Sequence, residues 1–197
     1  MPDKKKVELE RLDPPNRQGW RRWLKKNGSS SPGVRLIICK KKSGSIRLSY
    51  EDAVEEALCF GWIDSKLNSL DEQRFLLHFM PRKPKSIWSQ RNKQRVKKLI
   101  TEGLMTDAGM KKIEAARIDG SWNTLDAIDQ LKVPTDLRQA LLANKNAANN
   151  FESLSNSSKK AILFWIDSAK RPETRLARIK KAVSLAARNI KANNYRQ

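Results

Sequence analysis

His78 is the only histidine in the chain. It sits in an alternating run, RFLLHFM (74–80), that follows a second alternating run, GWIDSKL (61–67). A period of two marks strands, and pairing the runs as a hairpin brings Asp64 opposite His78. A carboxylate within reach of an imidazole is the smallest pair that could take up and return a proton. The same two residues also make an ordinary cross-strand ion pair on a solvated sheet face, worth about 0.2–1 kcal/mol. That second reading is adopted, and no catalytic residue is assigned. No P-loop, GxGxxG leading into a helix, HExxH or GxSxG occurs anywhere in the chain. Cys39 and Cys59, the only cysteines, each lie in an apolar run (LIICK, ALCFG) and lack zinc-ligand spacing. No metal and no cofactor is expected, and the two thiols read as buried in a reducing compartment.

The stronger chemical signal is charge. The 197 residues hold 41 Lys and Arg against 21 Asp and Glu, a formal net charge of +20. A field of that sign draws anions, from small ligands to nucleic acid or acidic surfaces. Downstream of the two alternating runs lies PRKPKSIW (81–88), where two prolines favour an extended cationic connector. Ser86 is placed to cap a helix over 87–102. A helix N-terminus beside Arg82, Lys83 and Lys85 makes a candidate anion site, with Trp62, Asp64, Lys66, Trp88 and Asn92 able to line it. A second set of cations falls at helical spacing: Arg91, Arg95 and Lys98, and further on Arg171, Arg175, Arg178 and Lys181. These form the alternative, a sequence-independent nucleic-acid surface, although no recognised nucleic-acid module is present.

Several elements must position these side chains. Residues 1–15 read as a mobile charged arm that stops at Pro14-Pro15. Asn16 caps a helix with Trp20, Trp23 and Leu24 on one face, which Gly28 can terminate. VRLIICKK (34–41) is a strand by its β-branched content, and KSGS is a loop. Ser49 caps the next helix, whose inward residues are Ala53, Val54, Ala57 and Leu58, and Gly61 ends it. In the hairpin Ile63 and Leu67 face the core, Trp62, Asp64 and Lys66 face away, and a turn at Leu70-Asp71-Glu72 sets Leu67 opposite Phe75 and Ile63 opposite Phe79. Residues 123–133 read as a linker. From Pro134 to 192 the pattern is a helical bundle, its last helix striped by Leu176, Ile179, Val183, Ala186 and Ile190. WIDS occurs twice, at 62–65 and 165–168, once with a period of two and once with a period of 3.6; the shared spelling reads as coincidence.

Three blocks carry a family resemblance. ALCFGWIDSK (57–66), PRKPKSIWSQRNKQRVKKLITEGLMTDAGMKKIEAARIDGSW (81–122) and LFWIDSAKRPETRLARI (163–179) resemble the YdeI/OmpD-associated, or bacteriocin-protection, family. Members of that family often carry Gly where this chain has Ser65. The resemblance implies a stress-protection protein connected with resistance to bacteriocins or antimicrobial peptides, and it implies no reaction.

The expectation is therefore an α+β fold, predominantly helical: a small antiparallel sheet with helices in residues 16–122, then the C-terminal bundle. The function expected is non-enzymatic binding of an anionic ligand or macromolecule through a basic face. No apolar run is long enough to span a membrane and no leader is evident, so a cytoplasmic protein without membrane association is expected.

Overall fold

A computed structural model describes residues 9–40 and 47–190. The chain divides into two compact units, one up to Asn123 and one from Thr124. The fold is mixed α+β, as expected. The first eight residues of the expected arm, the KSGS loop and the last residues assigned to the bundle lie outside the described residues.

The first unit is built on four strands, β1 (Arg11–Leu12), β2 (Val34–Cys39), β3 (Trp62–Ser69) and β4 (Arg74–Pro81), in the order β1-β2-β4-β3. β1 lies within the segment read as an arm and pairs parallel with β2; the other pairings are antiparallel. On β2, Val34, Leu36 and Ile38 are buried in strict alternation, and they face Phe79, Leu77 and Phe75 of β4. Two helices cover that face: α1 (Arg17–Asn27), capped by the Asn16 side chain, and α2 (Tyr50–Cys59), capped by Ser49. They contribute Trp20, Leu24, Ala53, Val54, Ala57 and Leu58 to the core. Each such large side chain, fully buried, contributes about 1.5–3 kcal/mol. Gly61, just past α2, has φ +73, and a Cβ there would meet the Ala108 carbonyl oxygen at 2.9 Å.

The hairpin register departs from expectation. Ile63 lies opposite Met80, Asp64 opposite Phe79 and Leu67 opposite Leu77, with one extra β3 residue between Asp64 and Leu67. Ahead of the extra residue the faces are inverted, with Trp62 in the core and Ile63 on the other side; Leu67 keeps the expected face, opposite Leu77, yet is 58% exposed. Two causes act together. The indole of Trp62 buries more apolar area than Ile63 can, and its Nε1 donates to the Gly28 carbonyl at 3.0 Å, so its polar edge is satisfied. The bulge then shifts the parity that a regular hairpin would keep. The turn spans 70–73, held by the Asp71 carboxylate, which accepts from the Gln73 and Arg74 N–H groups. Asp64 and His78 therefore lie on opposite faces of the sheet, and the expected pair does not form.

After β4 come α3 (Gln90–Thr101) and α4 (Asp107–Ile118). Ser89, not Ser86, caps α3 by accepting from the Asn92 N–H. The Ser86 hydroxyl instead donates to the Lys83 carbonyl at 2.7 Å, and Lys85 adopts φ 59. The connector therefore turns back instead of running extended, which carries Trp88 into the core before the helix begins.

The second unit comprises α5 (Asp126–Asp129), α6 (Thr135–Leu142), α7 (Lys145–Glu152), α8 (Asn156–Asp167) and α9 (Pro172–Ala187). Ile128, Leu137, Leu141, Phe151, Ile162, Ile166, Ile179, Leu185 and Ala186 belong to its core. Leu176, expected on the inward stripe, is exposed, and Ala182 and Leu185 are buried on that helix instead. The two WIDS copies lie in β3 and at the end of α8, a strand and a helix.

Candidate functional site

Helix α2 places acids between two basic helices. Glu55 and Glu56 are 3% and 2% exposed. Arg17 of α1 reaches Asp52 at 2.9 Å, Glu55 at 3.0 Å and Glu56 at 2.6 Å, and Arg21 reaches Glu56 at 2.7 Å. From α3, Lys98 pairs with Glu55 at 2.8 Å, while Arg91 and Arg95 share Glu51 at 3.0 Å and 2.6 Å. Asn92 accepts from Arg95 at 2.7 Å. Buried carboxylates persist because each is paired and hydrogen-bonded. The α3 cations read from the sequence as a phosphate-binding stripe are thus engaged with α2. Of the α9 set, Arg175 pairs with Asp136 at 2.7 Å. Arg178 donates to the Trp165 carbonyl and to Ser168, lying 5.3 Å over the Trp165 ring. Arg171 and Lys181 are exposed.

A different arrangement surrounds Arg82. Its side chain is 2% exposed, and its guanidinium lies 3.7 Å over the Trp88 ring. One edge is pinned: Nη1 donates to the carbonyls of Ser86 and Ile87 at 3.4 Å and 3.2 Å. The other edge, Nε and Nη2, is buried with no partner. Those two N–H groups form the parallel fork with which arginine grips an oxyanion through two oxygens. Burial pushes the Arg82 pKa down to about 10, against a weaker opposing pull from Asp64. Arg17 also has a buried unpartnered Nη2, but three carboxylates already surround its guanidinium.

Arg82 lines a small cavity of about 50 Å³ together with residues 83–86, Trp88, Lys112, Ala115, Ala116, Asp119 and Ser121. The Trp88 Nε1 and Ser121 Oγ, both on residues lining it, are likewise buried and unpartnered. Lys83, Lys85 and Lys112 add positive charge. Asp119 is the one acid in the lining, and its oxygens accept from the Lys85 and Ser121 backbone N–H groups at 3.1 Å and 2.9 Å. The neighbouring Ser121 hydroxyl is first among the causes that hold Asp119 below its ordinary pKa, yet it makes no hydrogen bond of ordinary geometry. Every unpartnered group here can donate, so the arrangement suits an anion.

The candidate residues thus divide. Arg82, Lys83, Lys85 and Trp88 come together at the cavity, joined by Lys112, Asp119 and Ser121, which the sequence reading passed over. Trp62 is a core residue bonded to Gly28, and Lys66 is exposed. Asp64 accepts from the Tyr50 hydroxyl at 3.3 Å. The only signal for the missed residues is the DGS run at 119–121, a turn at the end of α4 whose distance in sequence from Arg82 hides its proximity. Among the described residues, no group of three or more His, Cys, Asp or Glu is placed to hold a metal ion, and no helix is long and apolar enough to cross a membrane.

Comparison with known families divides the chain along similar lines. Residues 12–112 match the model of the family described as Domain of unknown function (DUF8412). Residues 130–189 match that of the family described as Bacteriocin-protection, YdeI or OmpD-Associated. The bacteriocin-protection resemblance therefore rests on the second unit. Of the three sequence blocks, 163–179 falls within that match, whereas 57–66 and most of 81–122 fall within the other. No curated protein and no solved structure matches the chain.

Proposed function

The chain belongs to the family described as Domain of unknown function (DUF8412), and from that premise we propose that its first unit is a binding module that holds an anionic ligand at Arg82 without transforming it. The single observation behind this reading is the buried, unpartnered Nε–Nη2 edge of Arg82. An arginine oriented by aromatic stacking and by two carbonyls has already lost its rotamer freedom, so a ligand gains the fork without ordering it. The non-enzymatic part of the proposal draws support from the separation of Asp64 and His78, which leaves the single histidine without a carboxylate across the hairpin. The likeness of the second unit to the bacteriocin-protection family suggests that ligand binding serves a protective role.

Native mass spectrometry of gently purified protein, wild type beside Arg82→Met, tests the reading. An anionic adduct that the substitution removes is the expected result. Adducts that are the same in both proteins, or absent from both, overturn it. Heterogeneous nucleic acid retained equally by both would favour the general surface charge instead; binding of that kind falls steeply between about 50 and 200 mM salt.

A further inference from the structure

If Arg82 is an anion site, its surroundings narrow the ligand further. We infer that the Arg82 cavity seats a single tetrahedral oxyanion group, either a free phosphate or sulfate ion or the terminal group of a phosphate monoester. This rests on the anion-binding reading above and adds the class of anion to it.

Size is the first constraint. A cavity needs roughly 10–15 Å³ to hold one water, so about 50 Å³ admits a group of a few oxygen-sized atoms and no nucleoside. Burial is the second. A phosphodiester within a nucleic-acid strand carries an ester arm on two oxygens, and both arms would have to leave a site whose arginine is 2% exposed. A free ion has no arm and a monoester has one. The third constraint is the donor set. A carboxylate presents two oxygens, which the Arg82 fork would use in full, leaving the Trp88 N–H and the Ser121 hydroxyl unmatched. A tetrahedral group has further oxygens for those two donors, and buried donors left unpaired are costly.

Charge points the same way. Lys83, Lys85 and Lys112 line the cavity with Arg82, against Asp119 alone, whose carboxylate is already engaged by two backbone N–H groups. A multiply charged anion gains more from that excess than a singly charged one. Burial lowers the Arg82 pKa and the charge of Asp64 only partly opposes this, so within the fold the guanidinium charge is incompletely compensated.

The test uses the full chain at constant ionic strength, balanced with sodium chloride. The Arg82 Nε–H resonance is followed by NMR during titration with inorganic phosphate, sulfate, phenyl phosphate, diethyl phosphate and acetate. Phosphate, sulfate and phenyl phosphate are expected to shift it saturably, while diethyl phosphate and acetate leave it in place. Ser121→Ala is expected to weaken phosphate binding by about tenfold, the scale of one lost hydrogen bond, and Arg82→Met to abolish it. A failure of Arg82→Met to fold does not block the test, because the wild-type resonance is the primary readout. A shift with diethyl phosphate or acetate as strong as with phosphate overturns the tetrahedral assignment and leaves the anion-binding reading standing. No shift with any anion overturns both and assigns the cavity to ordered water.

Discussion

The Arg82 guanidinium lies 3.7 Å over the Trp88 indole, while two of its N–H groups stay buried without a partner. Stacking and two carbonyl bonds hold the group in place, and neither contact neutralises it. An arginine in that position is oriented at some cost to the fold, because its charge is desolvated and only partly compensated.

One consequence concerns stability without any anion. Arg82→Met keeps an apolar chain over Trp88 and removes a desolvated charge, at the expense of the bonds to Ser86 and Ile87. These effects nearly cancel, so the substitution is expected to change unfolding free energy by no more than about 1 kcal/mol in chloride buffer. Urea denaturation measures it. In saturating phosphate the wild type gains stability that the variant does not, so the gap between the two curves is expected to widen.

Glu56 behaves oppositely. It is 2% exposed and receives both Arg17 and Arg21, so Glu56→Gln leaves two arginines short of a carboxylate. The loss from breaking a buried pair is roughly 3–5 kcal/mol. Here it is expected to be about 2–3 kcal/mol, because the Arg17 and Arg21 side chains remain 32% and 34% exposed to water. Denaturant unfolding at low and high salt checks this; a change that vanishes at 1 M salt would show the pairs to be screened surface contacts.

His78 gives the pH dependence. Burial, then the nearby charges of Arg35 and Lys66, lower its pKa below the ordinary 6.5. The unfolded chain therefore takes up this proton at a higher pH than the folded one. Stability from this group is present above about pH 6.5 and is lost as pH falls through that value towards the folded pKa. NMR titration should place the His78 midpoint below 6.5, and His78→Gln should flatten the stability profile across that window.

Gly61 and Gly103 both have positive φ, +73 and +67, but differ in space. A Cβ on Gly61 meets Lys112 Cγ at 2.7 Å and the Ala108 oxygen at 2.9 Å, whereas Gly103 has nothing within 4 Å. Gly103→Ala is expected to cost about 1 kcal/mol, the backbone term alone. Gly61→Ala should cost clearly more, about 2–4 kcal/mol, because contact with a backbone oxygen adds to the strain. Paired thermal melts decide between them.

Local chemistry carried much of the fold into view from the sequence. Asn16 and Ser49 cap helices because a short polar side chain before an apolar-periodic run has few better uses. The β-branched content of 34–41 and the alternation in 61–67 and 74–80 marked strands, and the 3.6 period after Pro134 marked the bundle. The acids of α2 were visible as letters, but nothing local revealed that Glu55 and Glu56 would be buried between α1 and α3, since that depends on which helices become neighbours. For the same reason the cations of α3 looked available when their partners lay on another helix.

What the sequence determined by itself is whatever is encoded within a turn or two of chain: element types, the caps at Asn16 and Ser49, the net charge and the cationic character of the segment after β4, though not its turn. What only the tertiary structure decided is register and partnership. One extra residue between Asp64 and Leu67 turned Trp62 inward and set Asp64 and His78 on opposite faces. The return of the 82–88 turn against the end of α4 then joined Arg82 and Trp88 to Asp119 and Ser121 in one cavity. Side-chain parity in a strand changes with a single inserted residue, and contacts between distant segments are set by packing, which no short stretch of sequence contains.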